Sequence, residues 1–272
     1  AFEAAGATRT VEFATLLMNL GEVRQQQGHV EDDMAAFTSA SIKILFQQMR
    51  RRGFPEATEL VTAFPKLWEA TDEDGHSLLH WAALVGDTDF CERALTNGVP
   101  VDSVACNKQT PLMWALTRGH ISTAQFLIDS KASLEVGDSL GATPLMLAVQ
   151  HQKHDCARML LRLDHSRQSL LNATDINGCT VAHWAAYKGD IISLKLLSHF
   201  SCDISVRDHS KALPIHRATQ AGQADVLDFL FEMGNDPTTC DASGKSCLEI
   251  AEDKRDIESQ TILKRLVEKA KV

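Results

Sequence analysis

Histidine, cysteine and tryptophan are the residues of this chain best suited to chemistry. His151 and His154 stand at i and i+3 with Cys156 nearby, a donor set of the kind that holds a transition metal. His80, His183 and His216 recur at one position of a long spacing. Seven cysteines are present: Cys91, Cys106, Cys156, Cys179, Cys202, Cys240 and Cys247. A thiolate among them could serve as nucleophile or soft ligand. The spacings argue against both chemistries. No CxxC occurs, the count is odd, and no second donor stands at ligand spacing, so the cysteines read as reduced and mostly buried thiols. No GxGxxG, no Walker lysine loop and no serine elbow is present. The expectation is a chain with no catalytic residues, no metal and no cofactor. Trp81, Trp114 and Trp184 remain, each directly after a His or Met of one column. An indole there is either packing between repeats or an anchor for a partner, since Trp is enriched in binding hot spots.

Composition narrows the partner. The 272 residues are 44% hydrophobic and 23% charged, ordinary for a folded protein long enough to bury a core. Lys plus Arg is 27 and Asp plus Glu is 36, a net charge of −9. That balance disfavours nucleic acid, whose non-specific binding feeds on basic residues, and disfavours docking on an anionic membrane. No apolar run approaches the ~20 residues of a membrane helix. Ala1–Gly6 lacks a basic n-region, so no secretory signal is expected. The chain begins on Ala1 rather than Met, as a processed product or an excised fragment would.

The elements that position these residues repeat. Ser77, Thr110, Thr143, Thr180, Leu213 and Ser246 open six similar units at steps of 33, 33, 37, 33 and 33. The four extra residues are expected in the connection at Asp164–Ser169. Alanine stands five residues after every start: Ala82, Ala115, Ala148, Ala185, Ala218 and Ala251. Aspartate stands five before in all units but the second, which has Ala105. Glycine two before the start completes an Asp-x-x-Gly turn in four units. Gly86, Gly119, Gly189 and Gly222 fall nine after, where a first helix should stop. Leucine stands seventeen after in five units, with Ala94 in the first. Each unit reads as turn, short helix, tight turn, longer helix, and Thr-Pro is a good helix opening.

This pattern resembles the ankyrin repeat. The expected fold is all-α, an ankyrin-repeat solenoid of six to seven helix-turn-helix repeats with turn fingers, plus an N-terminal helical extension. The solenoid is expected over 41–272, with a degenerate capping unit at 41–69, repeats from about 72 and a charged C-terminal cap at 246–272. In the capping unit the helices are expected at Ser41–Arg52 and Glu56–Phe64, with Met49 in the alanine column. Residues 1–40 read as a helical hairpin, either a cover for the open end of the stack or a tetratricopeptide-like unit. The histidine column is expected to brace turns, as it commonly does in ankyrin folds.

Such a solenoid offers a groove lined by finger turns and first helices. Trp81, Val85, Trp114 and Arg118 are expected to bind a partner there, with His151, Trp184, Tyr187 and Lys188 further along. Other groove positions are Leu84, Thr117, Gln150 and Gln220, with Lys108, Leu140, Ile176 and His209 at the finger tips. The mix suits a protein or an extended peptide rather than a metabolite.

Leu78-Leu-His-Trp-Ala-Ala83, Thr110-Pro-Leu-Met-Trp-Ala115 and His183-Trp-Ala-Ala-Tyr-Lys-Gly189 are similar to the ankyrin module of DHHC-type protein S-acyltransferases, the huntingtin-interacting palmitoyltransferase group. The resemblance implies a module that recruits substrates for a separate membrane domain, whose Asp-His-His-Cys loop is absent here. It also implies a peptide held against an aromatic at Trp114, with Val85 where that group has a polar partner. The expected function is therefore a non-catalytic protein-interaction module, monomeric, cytoplasmic or on the cytosolic face of an endomembrane, recruiting substrates for an S-acyltransferase. The alternative is a free-standing cytosolic scaffold unrelated to acyl transfer.

Overall fold

The computed structural model describes residues 54–163 and 167–270, with Ile42, Leu45, Phe46, Gln47 and Met49 besides. The expected N-terminal hairpin at 1–40 and most of the expected helix at 41–52 lie outside the described residues.

Each repeat opens on an extended residue that caps a short helix. The first helices run Leu78–Val85, Pro111–Arg118, Pro144–Gln150, Val181–Tyr187, Pro214–Ala221 and Cys247–Asp253. Three open on Pro, whose missing N–H costs nothing in the first turn. Gly86, Gly119 and Gly222 end theirs in the left-handed conformation, with φ of 85°, 83° and 70°. The second helices run Thr88–Thr96, Ile121–Asp129, His154–Leu161, Ile191–His199, Leu227–Glu232 and Ile257–Ala270. First helices pack on first helices and second on second, which makes two layers of one solenoid.

The small-residue column explains the close stacking. Ala82, Ala115, Ala148, Ala185, Ala218 and Ala251 are all 0% exposed, as are Leu127, Leu160, Leu197, Leu230 and Leu263. No single unit could bury these faces alone, so stability comes from neighbour on neighbour. Leu45, Met49, Leu60 and Val61 extend the same core ahead of the first repeat. There the second helix is Phe54–Ala63, starting two residues and ending one residue before the expected Glu56–Phe64, with Pro55 in its first turn.

The histidine column braces the stack. His80 Nδ1 accepts from the Ser77 N–H at 3.1 Å, and Nε2 reaches the Gln109 carbonyl of the next repeat at 2.9 Å. His183 spans Thr180 and Ala212, and His216 spans Leu213 and Thr239, in the same way. This pattern requires neutral imidazole with its proton on Nε2. Burial keeps it neutral by lowering all three pKa values, that of His80 to about 4.

The fingers are bound edge to edge. The backbone N–H groups of Cys106, Ser139, Ile176, His209 and Ala242 donate to the carbonyls of Asp74, Asn107, Leu140, Asn177 and Ser210 on the preceding finger. One sequence expectation is corrected here. The stretch that carries the extra four residues is not a plain connection: Arg167–Asn172 forms a short helix. Leu170 and Leu171, each 1% exposed, drive it by seating on the core.

Candidate binding groove

Fingers and first helices together enclose a groove. Its clearest part has a volume of about 430 Å³. Asp175, Asn177 and Ser210 line it from the fingers, and His183, Trp184, Tyr187 and Arg217 from the helices.

The three repeat tryptophans are half-buried and pack partly on the core, as does Val85. Each indole N–H is satisfied within its own repeat. Trp81 donates to Asp72 at 3.2 Å and Trp184 to Asp175 at 3.1 Å, both across nine residues. The second repeat has Ala105 in the aspartate column, and Trp114 donates to Gln109 instead, at 2.9 Å. The fifth repeat has Arg217 in the tryptophan column, and its Nε donates to Asp208 at 2.8 Å. The nine-residue spacing of the two columns carried this pairing in the sequence. The same aspartates also hold the finger turns: Asp175 accepts from the N–H groups of Asn177 and Cys179. Burial pushes the Asp208 pKa up, but the hydrogen bonds from Arg217 and Ala212 outweigh it and hold the carboxyl below its usual value.

Trp81 and Trp114 belong to an aromatic cluster at the first two repeats. Their rings meet edge to face with centroids 5.6 Å apart, and His76 lies 4.5 Å from Trp114. Trp184 is differently placed. Its ring meets Tyr187 edge to face at 6.0 Å, and Tyr187 is 45% exposed in the groove.

Arg118, His151 and Lys188 are exposed and occupy one column, eight residues after the starts Thr110, Thr143 and Thr180. Burial lowers the His151 pKa, and the positive charges of Lys188, Lys153 and Arg118 lower it further. The positive charges therefore share one field in the middle of the groove.

The metal readings have competing explanations. His154 Nε2 lies 2.9 Å from both oxygens of Asp190, which also caps the next helix through the Ser193 N–H. Asp72, Asp74 and His76 bring donor atoms within 4.8 Å of one another. Asp72, however, already accepts from the N–H groups of Asp74 and His76, from the His76 imidazole and from Trp81. All seven cysteines are free, and five are buried. Burial pushes the thiols of Cys91, Cys179, Cys202 and Cys247 up to about 12, so they are not thiolates near neutral pH.

Stacked helical pairs with bonded fingers and a lined groove define a repeat scaffold of the protein-interaction class, a non-catalytic fold. The family model of ankyrin repeats matches three times, over residues 52–138, 79–169 and 164–241. The chain belongs to the ankyrin-repeat family, whose partners are proteins. Over about two thirds of its length it is also homologous to ankyrin-repeat DHHC palmitoyltransferases. It is 30% identical to palmitoyltransferase AKR1 of Lachancea kluyveri, over 67% of this chain and 25% of that protein. It is 29% identical to human palmitoyltransferase ZDHHC13, over 66% of this chain and 29% of that protein. Rat palmitoyltransferase ZDHHC17 is 28% identical, over 68% and 30%. The chain thus spans about a quarter to a third of the length of these relatives. Among the described residues no helix is long and apolar enough to cross a membrane.

Proposed function

We propose that this chain is a substrate-recruiting module for protein S-acylation, holding an extended segment of a partner in its groove. Exposed Tyr187 beside half-buried Trp184 carries the reading: an aromatic pair with its far side satisfied by Asp175 is rigid, and its open edge is free for a partner. Trp81, Val85 and Trp114 form the neighbouring wall, where the packing leaves only part of each side chain to a ligand. Arg118, His151 and Lys188 supply the polar side of the groove. The module acts as a monomer on the cytosolic side of a membrane, and acyl transfer is left to another domain, as the homology to palmitoyltransferases supports.

The test is a pull-down from cytosol with the wild-type chain and with Tyr187→Ala/Lys188→Ala, two exposed positions whose loss should leave the fold intact. Enrichment of S-acylated proteins by the wild type only is the expected result. Recovery of proteins without S-acyl groups would reduce the function to a scaffold. Identical recovery by both chains would put the binding surface elsewhere.

A further inference from the structure

The basic column has a geometry that specifies its ligand. Arg118, His151 and Lys188 sit at equivalent positions of three successive repeats, so neighbours are one helix-packing distance apart, roughly 10 Å. Among the described residues no hydrogen bond or ion pair engages their side chains. The column ends sharply, with Val85 before it and Ala221 after it. On the finger side, Leu140 and Ile176 project from adjacent tips, each 59% exposed, and the Ile176 N–H donates to the Leu140 carbonyl at 3.0 Å. The repeats that carry His151 and Lys188 therefore also carry exposed apolar tips, whereas the repeat that carries Arg118 has Lys108 at its tip. Against a net charge of −9 for the whole chain, the column is a local exception to the field of the molecule.

We infer that this surface binds an extended segment of a partner protein with carboxylates at every third position and apolar residues between them. An extended chain in polyproline II conformation rises about 3.1 Å per residue with three residues per turn. Every third side chain then lies on one face, about 9 Å from the next, which matches the repeat spacing. A β-strand would turn the side chain at i+3 to the opposite face. Carboxylates meet Arg118, the His151 N–H and Lys188, while the intervening residues turn toward Leu140, Ile176 and Tyr187. This inference rests on the groove reading above and adds the chemistry of the occupant.

A display library of random twelve-residue peptides, selected on the whole chain, on Arg118→Glu/Lys188→Glu and on Tyr187→Ala, tests it. Expected is enrichment of Asp or Glu at i, i+3 and i+6 on the wild type. A labelled peptide with Glu at those positions should bind at least about tenfold more tightly than its Gln counterpart, and should lose that advantage on the charge-reversed chain. Thermal melts of both variants should stay near wild type, since all three positions are exposed. Enrichment of peptides without acidic periodicity that still depend on Tyr187 overturns the carboxylate inference and leaves the groove standing. Acidic peptides indifferent to charge reversal overturn it too. Failure to enrich any Tyr187-dependent peptide overturns both.

Discussion

Arg217 grips Asp208 across the same nine residues by which Trp184 grips Asp175. Two side chains with opposite hydration preferences thus perform one structural task, closing the base of a finger onto the first helix. The Asp208 side chain is fully buried and that of Arg217 is 24% exposed. Arg217→Ala should therefore cost about 2–4 kcal/mol in urea melts, because it strands a buried charge. Arg217→Trp, the residue of the preceding repeat, should cost under about 1 kcal/mol by restoring a donor. Equal losses in the two variants would show that Asp208 does not depend on that donor.

Leu160 and Leu197 are both fully buried in the second-helix layer. Each Leu→Ala change should lower stability by about 2–5 kcal/mol in denaturant melts. A loss below about 1 kcal/mol would remove that column from the core.

Stability should fall as pH drops in two successive windows. His80, His183 and His216 have folded pKa values below their ordinary 6.5, so the unfolded chain binds more protons there. Their contribution is complete above pH 6.5 and is lost as pH falls toward the folded values, about 4 for His80. Asp72 and Asp208 lie below the ordinary 3.8, so theirs is lost only as pH falls below that value. Unfolding free energies measured from pH 7 to pH 4.5 should decline, and His80→Gln should flatten the decline. An unchanged slope in that variant would contradict the neutral-imidazole brace.

Gly178 and Gly244 occupy equivalent finger turns with the same φ of +76°. A Cβ on Gly178 would lie 2.5 Å from the His209 ring and 2.9 Å from its backbone nitrogen, whereas one on Gly244 meets nothing within 4 Å. Gly244→Ala should cost only the left-handed strain, about 1–2 kcal/mol. Gly178→Ala should cost clearly more in the same melt, and equal costs would show that the fingers separate easily.

The architecture was legible because each column is stated several times over. Alanine at one position across six repeats identifies close packing without any knowledge of neighbours. The helix Arg167–Asn172 was missed because it occurs once and has no counterpart to align with. The site was less legible. Trp81, Trp114 and Trp184 look identical in sequence, yet Trp81 and Trp114 join an aromatic cluster and only Trp184 sits beside an exposed tyrosine. That difference depends on His76, Gln109 and Tyr187, which belong to no recurring column. The Asp-to-Trp bond was present as a spacing, but a hydrogen bond follows from side-chain direction, which spacing alone does not fix.

The bonded fingers have one more consequence. Ile176 donates to Leu140 across the step that is four residues longer than its neighbours, so the irregularity never reaches the front of the molecule. The extra length is taken up on the rear, by the turn of helix at Arg167–Asn172. The front surface thus keeps an even gauge from the first finger to the last, like a ruler whose backing has been spliced but whose graduations have not. A threaded chain can keep step with every mark along it, and changes to the splice would alter the backing without recalibrating the scale.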